Sequence, residues 1–166
     1  MTRDSDTGTE KDTNESIANR KKSDMYRRLN IILENPDAVF ISIHLNKFHL
    51  SSANGAQVFY SKNNPDSELL ASEIQKSVVS ALQPENTRQI KESGTDIYLL
   101  YHSQVPSVMV ECGFMSNEAE AEKLKSDEYQ QSMVQAIADG LDNYLKSKPE
   151  GETNNGSENK KHFRLQ

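Results

Sequence analysis

The chain has 166 residues, 34% of them hydrophobic and 27% charged, enough for one domain with a substantial core and too few for two comfortable ones. Its net charge of -6 is spread along the sequence rather than gathered in basic blocks, which argues against nucleic acid as a partner. The single cysteine, Cys112, excludes an internal disulfide and a multi-cysteine zinc cluster, and no apolar run approaches the roughly 20 residues that span a bilayer.

Positions 2–16 contain no aromatic residue and no aliphatic one larger than threonine, so residues 1–16 read as a polar, mobile segment without an apolar stretch of signal-peptide type. In "ESIANRKKSDMYRRLNIILEN", Met25, Leu29 and Ile32 recur at three- and four-residue steps ahead of Pro36, which predicts a helix. "AVFISIH" is short and rich in β-branched residues, as expected of a strand buried on both faces, and "AQVFYS" reads as a second strand reached through "SSANG". "PDSELLASEIQKSVVSAL" carries Leu69, Leu70, Ile74, Val78 and Leu82 at helical spacing, with Asp66 or Ser67 available as the cap. "DIYLLYH" and "PSVMVECGF" read as two more strands. The last helical stretch, from Ser116 to Lys146, is expected to break near Ser126 and Asp127 and to pack through Tyr129, Met133, Ile137, Leu141 and Leu145. Residues 147–166 form a polar tail expected to be disordered. Strands alternating with helices indicate an α/β fold, a three-layer-like sheet with helices on both faces, spanning residues 17–146.

His44 and Glu111 both fall at the carboxyl ends of predicted buried strands, the edge at which α/β sheets collect ligand sites. A neutral imidazole suits Zn²⁺, and a carboxylate that does not bind the metal can take a proton from water, a pairing suited to amide hydrolysis. The residues alone leave the plainer readings open: a hydrogen-bonded structural histidine, and a carboxylate at a helix start or in a salt bridge. Cys112, beside Glu111 and without an evident histidine partner, reads as a small packing residue, with Gly113 allowing a tight backbone path. His49 reads as a solvent-facing loop residue, and His102 as a residue that could line the cleft.

The segments "ISIHLN", "GAQVFY", "NTRQIK" and "DIYLLYHSQVPSVMVECGFMSN", in this order and spacing, resemble the zinc-dependent N-acetylmuramoyl-L-alanine amidases of peptidoglycan, type 3, and most nearly the spore-cortex amidases of the CwlD type. The resemblance extends from the "MTRDSD" segment to about residue 146. It implies that His44 is a Zn²⁺ ligand, that Glu111 is the catalytic carboxylate, and that residues 17–146 are the C-terminal portion of the family's catalytic domain. Arg88 in "NTRQIK" is the candidate substrate contact, since a guanidinium suits a planar acceptor, against the plainer reading of an exposed loop arginine. The implied substrate is the peptidoglycan glycan-peptide, and the implied location is extracytoplasmic, at the cell wall or spore envelope.

In that family two further metal ligands, a histidine in a "DPGHGG" loop and a glutamate on the following helix, precede the "MTR" landmark. No histidine precedes His44 here, and Glu10 in "TGTEKD" lies after the landmark in a polar stretch, so it reads as a solvated charge. Relative to the family, the first two strands and first helix are expected to be missing, with Met1 an internal methionine of a longer reading frame or the gene interrupted upstream. A site with one ligand in place of three is expected to bind zinc poorly. Three expectations stand together: an amidase acting on spore cortex, an inactive truncated remnant, and a non-catalytic module that binds cell wall or a partner protein.

Overall fold

The computed structural model describes residues 17–148; the expectations for residues 1–16, Glu10 among them, and for the tail beyond residue 148 lie outside the described residues. Helix α1 (Ile17–Leu33) leads to strand β1 (Phe40–Asn46), followed by β2 (Gln57–Tyr60), helix α2 (Asp66–Leu82) and the two-residue strand β3 (Lys91–Glu92). A short helix α3 (Tyr98–His102), strand β4 (Ser107–Phe114) and helices α4 (Glu118–Lys125) and α5 (Asp127–Ser147) complete the order.

The strands form one mixed sheet in the order β1-β4-β2-β3. β4 is central, parallel to β1 and antiparallel to β2, while β3 runs parallel to β2. Successive strand residues point to opposite faces, and the two faces of β4 feed two separate cores. Val108, Val110 and Cys112 join Ile41, Val58 and the buried sides of α2 and α5. Met109 joins Phe40, Leu29 and Ile32 of α1, and Leu99 and Leu100 of α3. Helices therefore cover both faces, as the alternation of elements implies.

The "DIYLLYH" stretch is a helix and not a strand, which corrects the sequence reading. Tyr101 N–H donates to Ile97 O and Ser103 N–H to Leu99 O, each at 2.9 Å. Leu99 and Leu100 are consecutive and both buried, while Tyr101 and His102 are exposed, a pattern that a half-buried strand with alternating sides cannot give. The cap of α2 also differs. Neither Asp66 nor Ser67 closes the helix; Asn64 Oδ1 accepts from Asp66 N–H at 3.0 Å, Ser67 Oγ instead accepts from Ser107 N–H at 3.0 Å, and Asp66 pairs with Lys148 at 2.6 Å. The α2 stripe runs through Leu70, Ala71, Ile74 and Val78, leaving Leu69 exposed, and α5 buries Tyr144 in place of Leu145.

The break near Ser126 is a helix cap: Ser126 Oγ accepts from Tyr129 N–H at 3.4 Å to start α5. Asn117 caps α4 in the same way, accepting from Glu120 N–H at 3.2 Å. β3, which follows the Arg88 segment, is a strand that sequence periodicity did not mark, since both of its residues are exposed.

Candidate active site

β1 begins buried at Phe40, Ile41 and Ser42 and ends exposed at His44 and Leu45, so the strand emerges from between the helical layers at the point where it carries its histidine. His44 is the register partner of Glu111 on β4, and Glu111 is in turn the partner of Gln57 on β2. Paired residues on adjacent strands share a face. The structure therefore brings His44, Glu111 and Gln57 into one row across three strands, on the same face as α1 and α3 but beyond their cover.

Burial sets the electrostatics of the row. Glu111 is half-buried; its Oε2 is buried and has no hydrogen-bond partner among the described residues. A buried carboxylate oxygen left unpaired is costly, and it leaves an acceptor open to a water or a bound group. Desolvation raises the Glu111 pKa above its ordinary value. His44 opens to solvent along one side, yet enough protein surrounds the ring to lower its pKa, first through desolvation and then through the Arg28 guanidinium of α1. Its imidazole is consequently neutral at pH 7 and able to act as a metal ligand.

A β-bulge shapes the end of β4. One residue separates His44 from Asn46 on β1, while two separate their partners Glu111 and Phe114. The extra residue reverses the alternation, so that Phe114 lands on the same face as Glu111. Glu120 holds this bulge in place: Oε2 accepts from Phe114 N–H and Oε1 from Gly55 N–H, both at 2.8 Å. Gly55 has φ +88, and a Cβ there would lie 2.7 Å from Asn86 Oδ1, so the turn before β2 requires glycine.

Arg88 is brought to the row. Its Nε donates to Asn54 O at 2.6 Å, its Nη1 to Gln57 Oε1 at 3.4 Å, and its guanidinium carbon lies 4.7 Å from the centre of the Phe114 ring. His49 is exposed and stacks on Phe48 at 4.1 Å between ring centres. His102 is not brought to the row: it stacks on Tyr98 on α3, and the adjacent Ser103 bonds Ser107 at the opposite end of β4. Cys112 is buried on the other face, and burial together with Glu111 pushes its thiol up to about 12, as befits a packing residue rather than a nucleophile.

Gln57 and Glu120 escaped the sequence reading. A glutamine in "GAQVFY" looks like the solvent side of a strand, although its phase opposite Val58 does place it on the face of Glu111. The asparagine-x-x-glutamate spacing of Asn117 and Glu120 signals a capped helix start, but the carboxylate reaches away from its own helix to two other segments.

As a zinc site the described residues are incomplete. His44 fits one ligand position and the orphaned Glu111 oxygen fits a bound group beside it, but among the described residues no group of three or more His, Cys, Asp or Glu gathers around a point. A full centre needs donors from outside them.

Residues 1–143 match the family profile described as N-acetylmuramoyl-L-alanine amidase (Amidase_3). The YqiI protein of Bacillus subtilis (strain 168) is 43% identical over 108 residues, which cover 64% of this chain and 50% of that protein. The germination-specific N-acetylmuramoyl-L-alanine amidase of the same organism is 32% identical over 148 residues, covering 89% of this chain and 62% of the relative. The structure of the CwlD amidase from Clostridioides difficile, in complex with the GerS lipoprotein, superposes with a TM-score of 0.81 at 37% identity over 87% of this chain and 74% of that one. The chain thus spans half of the first relative's length and less than two thirds of the second's. With a profile match that runs through every strand of the row, the chain belongs to the type-3 N-acetylmuramoyl-L-alanine amidase family.

Proposed function

We propose that the chain carries the carboxylate side of a peptidoglycan amidase site, one that hydrolyses the amide between the lactyl group of N-acetylmuramic acid and L-alanine. The observation that carries this reading is the unpaired, buried Oε2 of Glu111 in register with a neutral His44, in a chain of this family. Glu111 takes a proton from the attacking water as the new C–O bond forms, then delivers it to the leaving nitrogen as the C–N bond breaks. The products are a lactyl carboxylate and a free L-alanine amine, and Glu111 ends as it began. A raised pKa suits both halves of that exchange near neutral pH. The family is generally zinc-dependent, and His44 is the described residue suited to hold the ion; zinc when bound supplies polarisation of the carbonyl and of the water. Arg88 contacts the substrate. The similarity to a germination-specific amidase and to CwlD favours spore cortex over vegetative wall, hence action outside the cytoplasm, and the lipoprotein bound to CwlD makes a protein partner worth seeking.

A second reading, a metal-poor remnant that keeps the substrate-facing surface without turnover, draws support from the absence of a three-donor cluster among the described residues. Zinc content per chain after reconstitution, followed by release of L-alanine amines from purified peptidoglycan, separates the two. About one equivalent of zinc, lost in His44→Ala, with hydrolysis lost in Glu111→Gln while zinc is retained, supports the amidase. No bound zinc and no hydrolysis support the remnant. Hydrolysis that survives Glu111→Gln overturns the role of the carboxylate.

A further inference from the structure

The register row continues sideways from the carboxylate to a cation held rigidly in place. Gln57 is the β2 partner of Glu111, and its side chain is itself fixed, with Nε2 donating to Gln89 O at 2.8 Å. Its Oε1 then accepts from Arg88 Nη1 at 3.4 Å. The guanidinium is restrained from two further directions, by Asn54 O on Nε and by the Phe114 ring beneath. Phe114 can serve as that platform only because the bulge after Glu111 turns it onto this face. Among the described residues no carboxylate pairs with Arg88 and no hydrogen bond occupies its Nη2.

A half-buried arginine with its plane fixed and its charge uncompensated, in a chain of net charge -6, is a preformed receptor for an anionic group. Its place in the sheet sets which group. Strands lie about 4.8 Å apart, and the guanidinium reaches the side chain of Gln57, one strand over from Glu111, while resting on Phe114 further along β4, so it lies within about 10 Å of Glu111 along the row. An extended peptide advances about 3.4 Å per residue, so the residue after the cleaved alanine brings its own carboxyl group to that distance. In peptidoglycan that residue is a glutamate linked through its side chain, whose α-carboxyl is either free or amidated.

We propose that Arg88, braced by Gln57 and Phe114, is a specificity-determining contact for a free α-carboxylate on the second residue of the stem peptide, distinguishing acidic stems from amidated ones. This rests on the amidase reading. A carboxylate accepts two parallel N–H bonds from the guanidinium edge, whereas an amide offers one oxygen and turns a donor toward the cation.

The test compares muramyl-L-alanyl-D-glutamate with muramyl-L-alanyl-D-isoglutamine, titrated by calorimetry or amide-resolved NMR into the full chain carrying Glu111→Gln, so that ligand is not consumed. The acid form is expected to bind at least about tenfold more tightly. Arg88→Gln is expected to bring the two ligands within about twofold by weakening the acid alone, and Gln57→Leu to lower the ratio while leaving Arg88 present. Thermal melts show which variants fold; if Arg88→Gln does not, Gln57→Leu carries the comparison. Equal affinities, or a preference that survives these substitutions, overturns the inference and leaves the amidase reading standing. Failure of both ligands and of purified peptidoglycan to bind overturns both.

Discussion

His44 and Glu111 sit side by side with their acid–base equilibria displaced in opposite directions, and each displacement has its own signature in stability. The folded pKa of Glu111 lies above the ordinary 4.5, so the unfolded chain loses this proton at lower pH than the folded one. Stability contributed here is present below about pH 4.5, falls as the pH rises toward the folded pKa, and is level beyond it. The folded pKa of His44 lies below 6.5, so its contribution rises with pH between the folded value and 6.5 and is level above. Thermal melts of the parent and of Glu111→Gln from about pH 4 to pH 8 isolate the first term: the variant is expected to lose the decline with pH, and an unchanged profile would count against a desolvated carboxylate. For His44, an NMR titration is expected to show a midpoint below 6.5 that Arg28→Gln raises only in part, because desolvation is the larger cause. Both residues were legible in the sequence because a titratable side chain stood where a buried strand should end. Gln57 and the bracing of Arg88 were not, since they depend on which strand pairs with which, and a single polar residue in a strand carries no mark of its partner.

Among the elements, α2 and α5 depend on close backbone approach. A Cβ at Gly140 would lie 2.5 Å from Ile74 Cα and 2.9 Å from Glu73 O, contacts that only movement of a whole helix relieves. Gly140→Ala is therefore expected to cost about 2 kcal/mol or more despite alanine's better helix propensity, measured by urea denaturation. Glu120→Ala removes the acceptor of two main-chain donors and frees the bulge beside Glu111. A loss of about 2 kcal/mol is expected in the same measurement, with amide shifts at Gly55 and Phe114 reporting the released N–H groups. The helices were legible through their spacing and caps, including the break at Ser126. α3 was misread because "YLLY" has the composition of a strand; only the need to bury Leu99 and Leu100 together against Met109 selects the helical turn. That selection is tertiary, and propensity does not contain it.

At the scale of the molecule, β1 pairs with β4 on one side, and among the described residues no strand lies along the other. Leu45, Phe48, Leu50 and Met115, 51%, 46%, 52% and 40% exposed, add apolar surface near the same end. An open edge with such neighbours promotes association. Sedimentation velocity over about a tenfold concentration range is expected to show mass rising with concentration, reduced by Leu45→Lys; a monomer throughout would refute this. The sheet order has a further consequence, in time rather than in space. β1 and β2 are made early and never bond each other; both wait for β4, whose last residue is 114th in the chain. During synthesis "FISIHLN" and "QVFY" have no common neighbour until β4 leaves the ribosome, so the row that aligns His44, Glu111 and Gln57 cannot exist before the chain is made past residue 111, however early β2 meets β3.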